Sequence, residues 1–234
     1  FTWSVSDALG TIDADGTFTA VQTGRDVTGT LTVTYGETSC TLPVTVGSSQ
    51  PFDDTKGHWA ESCITELYYA GTLQGSEKNG KLYYRPDASM TRQEFIVAMM
   101  RYLGTDLSAY ASVQLPFDDS SSIASWAKSA MQAAYQLGYL TGSKTNGKLL
   151  AKPGSTISRQ EAMTILSRTK DFADADLNVL SAFSDSGKIA DWARTALAQM
   201  TQQKIISGSK GKLNPTGKVT RAEVAKMLYM LSES

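Results

Sequence analysis

The chain repeats itself three times, and no other feature limits its fold as tightly. "FDD" at 52–54, "FDD" at 117–119 and "FSD" at 183–185 open three units. A Trp-Ala pair follows at 59–60, 126–127 and 192–193, and a Gly-Ser begins 16 residues after each Trp, at Gly75, Gly142 and Gly208. "GKL" recurs at 80–82, 147–149 and 211–213. Pro86, Pro153 and Pro215 each stand six residues before an arginine, Arg92, Arg159 and Arg221. The third unit is four residues shorter between its glycine and its arginine, which places the length change in a surface loop. One such unit is too small to bury an apolar stripe well, whereas three stacked copies share a core.

Each unit reads as helix, loop, helix. Positions five and eight after each Trp are apolar: Ile64 and Leu67, Met131 and Ala134, Leu197 and Met200. That spacing gives one buried stripe. A second helix begins at each arginine, with Phe95, Met99, Met100 and Leu103 in the first unit and Val224, Met227, Leu228 and Leu231 in the third.

Residues 1–46 differ in character. "TLTVTY" (30–35) and "TLPVTV" (41–46) alternate apolar and polar residues and predict a hairpin, with an Asp-Gly turn upstream at 15–16. "GSSQP" (47–51) reads as a flexible linker. Charge divides likewise. Residues 1–50 hold Arg25 against Asp7, Asp13, Asp15, Asp26 and Glu37, a net of −4, which leaves +3 for 51–234. Neither part is basic enough for nucleic acid. No apolar run approaches the ~20 residues of a membrane span. Cys40 and Cys63 predict two buried thiols. With His58 the sole histidine, no His-based metal cluster or catalytic dyad forms, and no cofactor or metal is expected. The chain starts at Phe1 in what reads as mid-domain, so a fragment is expected.

Three local patterns carry chemistry. Thr91 with Glu94, Ser158 with Glu161, and Thr220 with Glu223 have capping-box spacing, in which hydroxyl and carboxylate each satisfy a backbone amide. That role removes the glutamates as catalytic carboxylates. The arginine after each cap sits where the helix dipole favours acids. It either pairs with an acid such as the Asp of the opening motif, or joins free first-turn amides in binding an external anion; residue chemistry leaves both open. Trp59, Trp126 and Trp192 favour core packing over ligand stacking. Asp54, Asp119 and Asp185 read as turn or cap residues. Gly75, Gly142 and Gly208 read as helix C-caps, or as points where a ligand approaches the backbone.

The motif Phe-x-Asp … Trp-Ala … Gly … Pro … [Met/Ile/Val]-[Thr/Ser]-Arg-[Gln/Ala]-Glu, three times in tandem, resembles S-layer homology domains over residues 52–234. The family's Thr-Arg-Ala-Glu is kept in the third unit, becomes "TRQE" in the first and departs most in the second, "SRQE". Upstream, "WSVSD … IDADGTFTA … LTVTY … VTV" resembles the C-terminal part of a bacterial Ig-like domain of the group 2 type, about half of such a sandwich. The resemblance implies a mainly α chain: a pseudo-threefold helical trimer preceded by a small all-β Ig-like segment. It implies non-covalent anchoring at the bacterial cell surface through a secondary cell wall polysaccharide, often pyruvylated on N-acetylmannosamine, held in grooves between units. Arg92, Arg159 and Arg221 would clamp its carboxylate. Asp54, Asp119 and Asp185 would hold sugar hydroxyls; Gly75, Gly142 and Gly208 would admit the sugar; the three tryptophans would wall the grooves.

The domains are therefore set at 1–47 (Ig-like segment), 48–51 (linker), 52–112, 113–178 and 179–234 (three repeats). The expected function is wall anchoring of an exported protein, with no catalysis, nucleic acid or membrane insertion. Two alternatives stand beside it. One is a structural S-layer subunit whose Ig-like part adds lateral self-association of the parent protein; the other is the anchor of an exported hydrolase with its catalytic domain upstream.

Overall fold

The computed structural model describes residues 1–233. The chain folds into two compact units, Phe1–Tyr84 and Arg85–Ser234.

In the first unit, strands β1 (Thr2–Val5), β4 (Val27–Tyr35) and β5 (Thr38–Val46) form an antiparallel sheet in the order β1-β4-β5. β2 (Gly10–Ile12) and β3 (Phe18–Ala20) pair separately. The expected hairpin is longer than its alternating runs. Tyr35 pairs with Thr38 across Gly36, whose φ of +60° supplies the tight reversal. Thr32 and Thr41, directly opposite each other, share a side-chain hydrogen bond of 2.9 Å. Cys40 lies on β5 and is exposed rather than buried, because β5 turns most of its residues to solvent; Cys63 is buried. Ser49 and Gln50, in the segment read as a flexible linker, are pinned to helix α1 (Glu61–Tyr69). Thr65 donates to Gln50 at 2.8 Å and Tyr69 to Ser49 at 3.0 Å. A short hairpin, β6 (Ser76–Lys78) and β7 (Lys81–Tyr83), follows α1.

The second unit holds α2 (Arg92–Tyr102), α3 (Lys128–Gln136), the hairpin β8 (Ser143–Thr145) and β9 (Lys148–Leu150), α4 (Arg159–Leu166), α5 (Arg194–Gln202) and α6 (Arg221–Ser232). The apolar stripes read from sequence are buried, except Leu103, which is half-buried. Met131, Ala134, Leu197 and Met200 are sealed, as are Phe95, Met99, Val224 and Leu228. At the centre three backbone segments close a ring. Met90 N–H donates to Val219 O (3.1 Å), Val219 N–H to Ile157 O (3.1 Å), and Ile157 N–H to Met90 O (3.0 Å). All three side chains are buried. Each ring residue stands two positions before a capped arginine, so the ring fixes where all three helices begin.

The fold class is thus corrected. The chain is mixed, with short α-helices and small antiparallel sheets, not mainly α. In place of an Ig-like all-β segment, residues 1–46 form one three-stranded sheet, a separate two-stranded sheet and a 3-10 turn at Asp7–Leu9. The segments read as plain loops inside the repeats are the second cause. The residues around "NGK" pair as β6–β7 and β8–β9, because Asn79 and Asn146 adopt positive φ (54° and 48°) and the following glycines do too, turning the chain back on itself. In the third unit the four-residue deletion shrinks this to one bridge, Ser209 with Lys212.

Candidate groove beside a buried arginine

All three capping boxes form. Thr91, Ser158 and Thr220 accept from the amides of Glu94, Glu161 and Glu223, and each glutamate accepts in return from the cap amide at 2.8–2.9 Å. These caps contribute about 1 kcal/mol each.

The first-turn amides expected to be free for an anion are not. Arg92 N–H donates to Ser155 O (2.9 Å) and Gln93 N–H to Pro153 O (3.0 Å). Arg159 and Gln160 do the same to Gly217 and Pro215, both at 2.8 Å, and Arg221 and Ala222 to Ala88 and Pro86, both at 2.9 Å. Each helix N-terminus docks on the post-proline turn of another repeat, which consumes the donors that a bare helix end would offer. Any anion contact at these helix ends therefore falls to side chains.

Arg92 and Arg159 pair with glutamates and not with the opening-motif aspartates. Arg92 Nη1 donates to Glu161 Oε1 at 3.1 Å, and Arg159 Nη1 to Glu223 Oε1 at 2.9 Å. Each pair joins one repeat's arginine to the capping glutamate of the next. The Arg92 side chain is only 12% exposed and that of Arg159 only 13%. Both Nε atoms are buried without a hydrogen-bond partner. A buried guanidinium nitrogen left unmet costs about 1–3 kcal/mol unless a ligand meets it. Burial pushes the Glu161 carboxyl up, but donors from Ser158 and the Arg92 charge outweigh it and hold the group below its ordinary value. Glu161 is therefore ionised at neutral pH. Arg221 occupies the same first position of α6.

The aspartates clamp hairpins. Asp119 accepts from Ala151 N (2.8 Å) and Lys152 N (2.7 Å), Asp185 from Leu213 N (2.9 Å) and Asn214 N (2.8 Å), and Asp54 from Tyr84 N (2.8 Å). Lys152 and Asn214 sit at positive φ (51° and 52°), and the carboxylates hold them there. Desolvation raises the Asp185 carboxyl, and the amide donors overcome it and lower the group.

The glycines do not end helices. Gly71 and Gly138 take the left-handed position after α1 and α3, and Lys204 takes it after α5. Gly142 lies further on, where a Cβ would stand 2.6 Å from Phe117 Cε1 and 3.1 Å from Leu150 O; Gly75 and Gly208 meet Phe52 and Phe183 in the same way. These glycines admit the phenylalanine of the opening motif.

The tryptophans are not core residues. Trp59 is 62% exposed, and Trp126 and Trp192 are 57% exposed. Trp126 and Trp192 lie within 3-10 turns, Ser125–Ala127 and Asp191–Ala193, and the adjacent alanine of each Trp-Ala pair is fully buried instead. Of each Trp-Ala pair, the small residue is the one that faces inward.

Within the second unit these residues converge. A cavity of about 360 Å³ is lined by Arg92, Gly142, Glu161, Thr164, Arg168 and Trp192 among others. It draws on all three repeats. Gln160 Oε1 accepts from Ala190 N at 3.1 Å, fixing the turn that presents Trp192, and Gln93 does the same for Ala124 before Trp126. That is what the glutamines of "TRQE" and "SRQE" do. Arg168 escaped the sequence reading. Its signal was an arginine nine residues after Arg92 and Arg159 alike, at Arg101 and Arg168. Nine residues on an ideal α-helix lead to the opposite face. α4 ends at Leu166, however, and a 3-10 turn carries Arg168 to the groove.

Three interlocked copies of one cap-and-arginine unit, with a groove between them, define a repeat module built to present side chains to a ligand rather than to react with it. The S-layer homology domain family model matches residues 51–96, 116–163 and 182–225, and the chain belongs to that family, whose members anchor proteins at the cell surface. It is 28% identical to an amylopullulanase of Thermoanaerobacterium thermosulfurigenes over 86% of its length, and 29% identical to the exoglucanase XynX of Acetivibrio thermocellus over 79%. It is 28% identical to a surface-layer 125 kDa protein of Lysinibacillus sphaericus over 77%. The chain spans only 10%, 16% and 15% of those proteins. The family is an anchoring module and its members sit at the cell surface; among the described residues no helix is long and apolar enough to cross a membrane.

Proposed function

We propose that this chain ties a surface protein to the wall by binding an anionic secondary cell wall polysaccharide, with a ketal pyruvate on N-acetylmannosamine as the recognised group. One observation carries the reading: the Arg92 guanidinium is nearly buried in a groove, keeps an unmet Nε, and lies in the same cavity as a half-exposed tryptophan. A carboxylate is the planar partner that a guanidinium fork matches. Arg92, Arg159 and Arg221 are the proposed clamps, with Trp59, Trp126 and Trp192 stacking on sugar faces. Gly142 keeps the groove floor flat, while Asp54, Asp119 and Asp185 shape it through the hairpins. The proposed repeats run 52–112, 113–178 and 179–234. The names of the glycan-degrading relatives favour an exported hydrolase as the anchored protein; the surface-layer relative supports the S-layer subunit reading, with lateral self-association.

The test is co-sedimentation of the chain with native walls and with walls stripped of pyruvyl groups. Binding lost on stripping is expected; equal binding to both refutes the pyruvate assignment. Arg92, Arg159 and Arg221 changed together to Ala should abolish sedimentation while thermal melting stays cooperative.

A further inference from the structure

Arg92 is not the whole of the positive charge in its groove. Its guanidinium is paired with Glu161, so the two together are neutral. Arg168 lines the same cavity. Its Nη1 donates to Tyr139 O at 2.8 Å and reaches Thr141 Oγ1 at 3.4 Å, both neutral acceptors. Among the described residues no carboxylate lies within ion-pair distance of it. Desolvation and repulsion from Arg92 both disfavour its charge, yet a guanidinium does not deprotonate in a protein. Two partly buried cations and one anion leave the cavity with an uncompensated charge of one sign.

We propose that Arg168 is a second anion-binding residue of this groove, and that its charge, added to the Arg92–Glu161 pair, matches the groove to a ligand bearing a single carboxylate. The hydrogen bond to Tyr139 pins one nitrogen and holds the fork in place, leaving the remaining N–H groups for the ligand. The ligand's carboxylate then meets Arg168 where the Arg92 side chain lines the same cavity. The third repeat lacks this arrangement. Nine residues after Arg221 stands Met230, and the extra cation of that helix is Lys226, a flexible point charge five residues after Arg221. Arg168→Met thus gives this groove what the third repeat carries at that position.

The identity of the sugar rests on the function proposed above; the anion role of Arg168 does not. The test follows the Trp192 indole N–H by NMR in the full chain, assigned with Trp192→Phe, because that ring lines this groove. Two probes are titrated: a ketal-pyruvylated N-acetylmannosamine glycoside and pyruvate itself, each across a salt series. Arg168→Met should weaken the Kd read at Trp192 about tenfold or more and flatten its salt dependence. Arg168→Lys should restore the salt dependence but only part of the affinity. A merely structural role for Arg168 would move the melting temperature and leave the salt dependence intact. An unchanged Kd in Arg168→Met overturns the proposal. If pyruvate shifts Trp192 in an Arg168-dependent way and the glycoside does not, the anion role stands and the polysaccharide reading falls. If neither probe shifts Trp192, both fall.

Discussion

Replacing Glu161 by Gln and by Ala separates two jobs done by one carboxylate. Oε2 closes the capping box with Ser158, and Oε1 accepts from Arg92. Gln keeps the box, since amide and acid serve equally at that position. Closing the box takes its single oxygen, so the amide nitrogen, a donor, faces Arg92 and the acceptor for that charged group is lost, about 1.5–3 kcal/mol. Ala removes about 1 kcal/mol of capping. It also removes an acceptor for a charged donor, about 1.5–3 kcal/mol. The expected losses are therefore about 1.5–3 kcal/mol for Gln and about 2.5–4 kcal/mol for Ala, a gap of about 1 kcal/mol set by the cap. In a unit of this size each kcal/mol moves the melting temperature by roughly 2–4 °C. Thermal and urea denaturation of the two variants resolve that gap. The pH limb adds a second reading. The folded carboxyl lies below its unfolded value, so its contribution is complete above roughly pH 4.3 and is lost as pH falls through the lower folded value. Glu161→Gln should flatten that acid limb. If Gln costs as much as Ala, the box contributes nothing and the capping account is wrong.

Gly142→Ala should destabilise the fold by about 2–4 kcal/mol, from a side chain at φ +72° and a methyl forced into Phe117; a calorimetric melt within 2 °C of the parent would contradict the packing account. Asp119→Ala removes two charge-assisted amide bonds and frees Lys152 from positive φ, so a loss of about 3 kcal/mol and faster amide exchange at Ala151 and Lys152 are expected, checked by hydrogen exchange.

The repeat was legible because its markers keep register over three copies, and the capping boxes were legible because Ser/Thr and Glu three apart have a complete local mechanism. What sequence could not supply was which repeat a side chain serves. Arg92 finds Glu161 and not Asp54 or Asp119, since the aspartates are already consumed by amides that only the folded hairpin brings near. The amides of Arg92 and Gln93 look free in one dimension and are spent on Ser155 and Pro153 in three. Tryptophan misled through its bulk: beside an alanine at the entry to a helix, the smaller residue goes in. The short hairpins were missed because their turn signal, Asn-Gly, sits among lysines with few β-formers, so the pairing is set by position rather than propensity.

The backbone ring of Met90, Ile157 and Val219 has a temporal side. Two of its three bonds involve Val219, and the docking sites at Pro86 and Ala88 are met by α6. During synthesis the earlier repeats can coil their helices, but the ring cannot close until the last repeat has emerged. Contacts spanning so much sequence carry a large closure entropy and slow the final step. A chain stopped short of α6 therefore lacks the keystone of the second unit, and a single late event commits all three helix ends, with the groove between them, to their working positions.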